Sequence, residues 1–295
     1  MKRSRLSVAR KALMWWFRWP GNPYVCLNAA VDFSAARAYL DALARRGDEP
    51  VSVNHLVAAA VVEVLGEFPQ ANARIFGSRI VELGGIGLAM PVDLAGRGDP
   101  AGRRGQETAM AVVSGLAGCS LLQVAQACRR SVHDERSGRG SVRAMRYLTR
   151  LAEKLPYPAV AGVLAAVDWL GRAPLLGERL YGGLPASGLT NPGAVFGKIE
   201  GMLFRGSSME LPQRLMHVGS VWGVSALQDE VIAAGGRPVV RPMLPVVLCF
   251  DHRLFDGVTA ARMLKRFGEI LLEPAAIFGA DGRRPLGRTG TRCAG

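Results

Sequence analysis

M-L-P-V-V-L-C-F-D-H-R-L-F-D-G, residues Met243 to Gly257, holds the sharpest transition in the chain. Met243 to Phe250 is uncharged and apolar throughout, which reads as a strand buried on both faces. It ends abruptly in Asp251, His252 and Arg253. Four residues further on, Gly257 to Leu272 has the spacing of an amphipathic helix, with Asp256 placed to cap it. A histidine at the mouth of a buried strand is held by a rigid scaffold, which a general base requires. The alternative is a polar strand end closed by a helix cap, and spacing alone does not choose between them.

Outward from this stretch, Pro23 to Val31 alternates as a strand, and Ser34 to Arg46 reads as a helix stopped by Gly47. Asn54 is placed to cap a second apolar helix running to about Glu67. Ile80 to Val92 reads as a strand bent at Gly84-Gly85, and Leu94 to Gly105 as a loop. Met110 to Val113 is a strand. Ser120 and Gln123 form a capping box for a helix ending near Arg130, with Ser131 to Gly140 as a polar loop. Helices are expected over 142–155 and 159–170, and strands near 188–191, 215–225 and 239–250, with Gly235-Gly236 as the turn between the last two. Strands and helices mixed without a strict β-α-β rhythm suggest an α/β or α+β sandwich, with no choice between the two at this point. One domain over residues 1–278 is expected, with 279–295 as a basic, disordered tail.

Composition bounds the function more loosely. The net charge is +13, carried almost entirely by arginine, so anionic partners are favoured. No nucleic-acid-binding module is recognisable, and nucleic acid is not expected as a partner. Five cysteines in no C-x-x-C pairing, three of them in apolar runs, fit free thiols in a reduced, cytoplasmic protein. Arg10, Lys11 and Arg18 interrupt the N-terminal apolar stretch, so no signal peptide is read there. Trp15, Trp16, Phe17 and Trp19 read as part of an amphipathic helix packed on its own domain or on a neighbouring subunit, in preference to a membrane contact. Among the histidines, His55 falls in the first turn of a helix, His133 in a polar loop, and His217 in an apolar strand as a satisfied core residue. None has metal-ligand spacing with another ligand type, so no metal site is expected.

The segment F-D-H-R-L-F-D-G-V-T-A-A-R-M-L resembles the H-R-x-x-D-G signature of the catalytic domain of dihydrolipoyl acyltransferases of 2-oxo-acid dehydrogenase complexes. More distantly it is similar to chloramphenicol acetyltransferase. Further landmarks occur in the family's order: Arg10-Lys11-Ala12-Leu13, the helix from Asn54 with its P-x-x-N-A turn, Ile86-Gly87-Leu88-Ala89, Ser120-Leu121, and Thr190-Asn191 before a glycine. The resemblance covers roughly residues 5–135 and 186–275. It implies a chloramphenicol-acetyltransferase-like α/β fold, a two-layer sandwich of mixed sheet and helices, that forms a homotrimer with active sites between subunits.

In that reading His252 is the general base for a thiol, whose pKa near 8.5 leaves it mostly protonated at neutral pH. Thr190 donates to the oxyanion, with Ser187 as the fallback donor. Asp256 fixes the loop, through the helix cap and an ion pair for which Arg10 is the candidate. Asn191 and Arg253 are candidate substrate contacts, and Gly257 supports the turn. The co-substrate implied is a thioester of coenzyme A or phosphopantetheine, which an acidic carrier protein would present to the basic surface. Two departures are notable. No lipoyl attachment segment occurs in this chain, which favours a stand-alone enzyme, and residues 136–185 form a helical insertion where the family has a shorter connection. The competing expectation is a non-catalytic trimeric scaffold derived from the same core.

Overall fold

The computed structural model describes residues 2–3, 23–47, 50–93, 108–137, 139, 156–193, 202–206, 208 and 217–286. The expected helix over 142–155, the whole expected loop over 94–105, the N-terminal aromatic cluster and Arg10 lie outside these residues.

The core is a mixed sheet in which β10 (Arg237–Asp251) pairs with three other strands. From one edge the order is β2 (Tyr24–Asp32), β10, β8 (Ser220–Val224), β7 (Ser187–Thr190), β5 (Leu88–Asp93) and β6 (Thr108–Val113). The pairs β10–β2, β10–β8 and β5–β6 are antiparallel, whereas β8–β7 and β7–β5 are parallel. The first half of β10 pairs with β9 (Gln228–Ala234) through the turn at Gly235 and Gly236, both at positive φ. β9 is a strand that the sequence reading passed over. A second small sheet has the order β1 (Lys2–Arg3), β4 (Arg79–Glu82), β3 (Ala73–Phe76).

Strand alternation assigns the faces. Leu244, Val246, Leu248 and Phe250 of β10 join Trp222 and Val224 of β8 in one hydrophobic core. That core is closed by α1 (Ser34–Arg45), α2 (Val53–Glu67), α3 (Leu121–Arg136) and α6 (Gly257–Leu272). Val247 and Cys249 point to the opposite face and are buried as well. There the segment 202–206 lies across the sheet, and the Phe204 carbonyl accepts hydrogen bonds from Ser225 Oγ (2.9 Å) and Gln228 Nε2 (2.6 Å). This two-sided burial is why the stretch 243–250 is apolar without alternation.

Several expectations need correction. Ser52, not Asn54, caps α2, and the His55 side chain closes the capping box in place of the usual Glu or Gln. Helix α3 does not stop near Arg130 but runs to Arg136, because no glycine or proline occurs between Ser131 and Ser137 to break it, the first glycine being Gly138. His133 is therefore helical. Residues 279–286 are not a loose tail: Leu286 is buried, and its amide and carbonyl bond to Cys119 and Gly118. Cys26 and Cys249 stand opposite each other across β2 and β10 and form a disulfide, so they are not the free thiols expected. Among the described residues Cys128 is free and buried.

Within the insertion, α4 (Tyr157–Arg172) and α5 (Pro174–Tyr181) form a tight hairpin. A Cβ at Gly177 would lie 2.1 Å from the Gly171 carbonyl oxygen and 2.7 Å from a Phe76 ring carbon, so the hairpin reaches β3 only because position 177 is glycine. Among the described residues no helix is long and apolar enough to cross a membrane.

Candidate active site

The turn carrying His252 is built on Asp251, the last residue of β10 and fully buried. Asp251 Oδ1 accepts the Arg253 backbone N–H (2.8 Å), closing a short turn around His252. The same carboxylate receives the Arg253 guanidinium in a fork, Nε to Oδ1 at 3.0 Å and Nη2 to Oδ2 at 2.6 Å. His217 Nε2 lies 2.8 Å from Asp251 Oδ2, and His217 Nδ1 accepts the Ile75 backbone N–H at 3.2 Å. That second bond fixes the tautomer: Nδ1 is bare, so Nε2 carries the proton and donates to Asp251.

The electrostatics agree with this assignment. Burial holds the His217 pKa below its ordinary value against the pull of Asp251, so the ring is neutral at neutral pH. Burial alone would raise Asp251, but the hydrogen bonds from His217 and Arg253 and the charge of Arg253 outweigh it and bring the pKa down to about 2. Asp251 is thus a carboxylate neutralised by Arg253. Arg74, also fully buried, donates to the Pro185 carbonyl.

On this base His252 is half-buried, with its backbone N–H bonded to the Pro23 carbonyl (2.9 Å) and its ring 5.9 Å from that of Phe250. Asp256 caps α6 through Oδ1 to Thr259 N (2.8 Å), as the sequence indicated. Gly257 opens that helix, and a Cβ there would meet nothing within 4 Å.

Thr190 ends β7 in register with Gly223 of β8, which is in register with Val247 of β10. His252 lies five residues beyond Val247, about 16 Å along the strand direction at ~3.3 Å per residue. One chain therefore does not bring Thr190 to its own His252. Thr190 lies instead beside Gly223, Val247 and Cys249 on the face away from the helices. Ser187 is fully buried and shares a 2.9 Å hydrogen bond with Ser220, so it ties β7 to β8 and cannot serve as the fallback donor. The glycine after Thr190-Asn191-Pro192 has a steric cause: a Cβ at Gly193 would sit 1.9 Å from the Ala226 nitrogen. Asn191 donates to Asn54 Oδ1, and both border a cavity of about 390 Å³ between α2, α3, β5 and β7. Arg253 turns inward to Asp251. It was expected as a substrate contact, and its guanidinium is instead engaged by the Asp251 carboxylate.

Asp251 and His217 are the members of this arrangement that the sequence reading missed. A carboxylate ending a strand buried on both faces was the available signal for Asp251. His217 lies 34 residues away from it, and no local pattern marks its partner.

Residues 216–279 match the family profile described as 2-oxoacid dehydrogenases acyltransferase (catalytic domain). The dihydrolipoyllysine-residue succinyltransferase component of the 2-oxoglutarate dehydrogenase complex of Escherichia coli K12 is 31% identical over 135 residues, 43% of this chain and 33% of that protein. The mouse mitochondrial counterpart is 33% identical over 82 residues, 28% of this chain and 17% of that protein. The matches thus span from about a sixth to a third of these relatives' length. Among solved structures, the cubic core of a pyruvate dehydrogenase multienzyme complex superposes with a TM-score of 0.59 at 19% identity, covering 94% of this chain and 93% of that one. Dihydrolipoamide acetyltransferase from Azotobacter vinelandii gives the same values. A chloramphenicol acetyltransferase gives 0.52 at 15% identity, covering 92% and 100%. The chain therefore has the chloramphenicol-acetyltransferase-like fold of 2-oxoacid dehydrogenase acyltransferase cores and, over residues 216–279, the sequence signature of their catalytic domain.

Proposed function

We propose that this protein is an acyltransferase that takes an acyl group from a thioester of coenzyme A or of a carrier-bound phosphopantetheine. The carrying observation is the turn at 251–257. A neutralised, buried Asp251 and the helix-capping Asp256 hold His252 from both sides on rigid elements. The Azotobacter vinelandii structure concerns the catalytic roles of a serine, a histidine and an asparagine four positions after that histidine. Here Thr190, His252 and Asp256 have the corresponding character, with a carboxylate in place of the amide.

His252 takes the proton from a thiol or hydroxyl as it attacks the acyl carbonyl, and returns it to the leaving thiolate as the tetrahedral intermediate collapses. The intermediate's oxyanion needs a donor within about 3 Å. Thr190 meets that need only from a second copy of the chain, because the register separates it from its own His252. A homotrimer with sites between subunits satisfies this requirement.

The test is release of free thiol from acetyl-, succinyl- and longer acyl-coenzyme A with a panel of thiol and amine acceptors. Wild-type turnover should fall by about 100-fold or more in His252→Ala, the usual scale for loss of a general base. Turnover indifferent to His252→Ala sinks the mechanism. No turnover across the panel, together with tight binding to a protein partner, would establish the scaffold reading instead.

A further inference from the structure

We infer that the cavity between α2, α3, β5 and β7 is a binding site for a small carboxylate with an apolar body, separate from the thioester chemistry at His252. Its volume of about 390 Å³ is in the range of small-molecule pockets. Met90, Pro91, Val92, Val132 and Leu189 supply apolar walls. The polar groups around it are mostly donors. His55 spends Nδ1 as an acceptor in the α2 capping box, which leaves the proton on Nε2. Burial lowers its pKa, so the ring is a neutral N–H donor. Asn54 spends its carbonyl oxygen on Asn191 and keeps its amide hydrogens.

Arg136, exposed at the rim of the cavity at the end of α3, makes no ion pair among the described residues, and no aspartate or glutamate lines the cavity. An unpaired guanidinium beside neutral donors and apolar walls selects a ligand whose head is acceptor-rich and negatively charged and whose body is hydrocarbon. Cys128, the free thiol in the wall, is pushed up to about 12 by burial and stays protonated, so the ligand is held without a covalent bond. Leu189 and Asn191 flank Thr190, whose side chain lies on the opposite face of the sheet, so the pocket is separated from the proposed oxyanion donor by β7 itself.

Binding is read directly, without turnover, by calorimetry and ligand-observed NMR on the full-length protein. The probes are butyrate, hexanoate and octanoate, with hexanamide and hexanol as uncharged counterparts of one of them. Hexanoate should bind at least tenfold more tightly than hexanamide or hexanol. Arg136→Gln should erase that difference and Arg136→Lys should restore most of it. Val132→Trp, which fills the cavity, should abolish binding of all probes, with thermal unfolding used to verify that the variant is folded. Equal binding of hexanoate and hexanamide, unchanged binding in Arg136→Gln, or no binding by any probe would overturn the inference. Because no step depends on acyl transfer, an inactive His252→Ala protein should bind hexanoate as wild type does, and a protein without any acyltransferase activity leaves the test intact.

Discussion

At the scale of single residues, the site depends on a carboxylate that does no chemistry. Asp251 holds the turn around His252 and is itself held by Arg253 and His217. Removing its charge leaves the Arg253 guanidinium, little exposed, without its counterion. Asp251→Asn should cost about 3–5 kcal/mol, the usual scale for breaking a buried pair from one side, measured by urea unfolding at pH 7. The pH dependence has a definite sign. The folded pKa of about 2 lies below the ordinary 3.8, so the unfolded chain takes up a proton that the native one refuses. The stabilisation is complete above pH 3.8 and is lost as pH falls toward 2, amounting to about 2–3 kcal/mol for this shift. Between pH 5 and pH 3, urea midpoints of the wild type should therefore fall more steeply than those of Asp251→Asn. Parallel slopes would show that Asp251 is not held as an anion. His252 was legible from sequence because it interrupts a hydrophobic run. The Asp251–His217 bond was not, because it joins positions that come together only when β8 and β10 pair.

At the scale of elements, local chemistry was readable wherever it was self-contained. Asp256 opens α6 and Ser120–Gln123 boxes α3, as their spacing indicated. Asp256→Ala should cost about 1 kcal/mol as a lost cap. A much larger loss of activity than of stability would assign it a part in holding His252 as well. The reading failed where an element's limit depends on what covers it. α3 continues past Arg130 against β6, where Ser131 Oγ donates to the Val112 carbonyl, and residues 279–286 are ordered because Cys119 and Gly118 bind them. The insertion shows the same dependence. Gly177→Ala places a methyl 2.1 Å from a backbone oxygen that cannot yield, so α5 must separate from α4 or from β3. That variant should unfold at lower temperature than Gly183→Ala, whose added Cβ meets nothing within 4 Å.

At the scale of the whole molecule, the sheet itself separates the two halves of the proposed site. β7 and β8 run parallel and β10 antiparallel to them, so Thr190 and His252 end at opposite rims of one subunit. No rotamer change closes a gap of about 16 Å along the strands. If catalysis uses both residues, each site draws its histidine from one subunit and its threonine from the next. The consequence can be tested by mixing. In the proposed homotrimer, His252→Ala and Thr190→Ala should each have low activity, because every site lacks one group. Co-expressed in equal amounts, they assemble at random, and about one site in four receives an intact histidine beside an intact threonine, as expected for a head-to-tail ring. Activity should recover to about a quarter of wild type on co-expression and not on simple mixing of preformed, non-exchanging homotrimers. A site contained within one subunit gives no such recovery, since neither variant chain carries both residues. Recovery that varies as the product of the two chains' fractions, with its maximum at equal expression, would assign the two residues to different subunits.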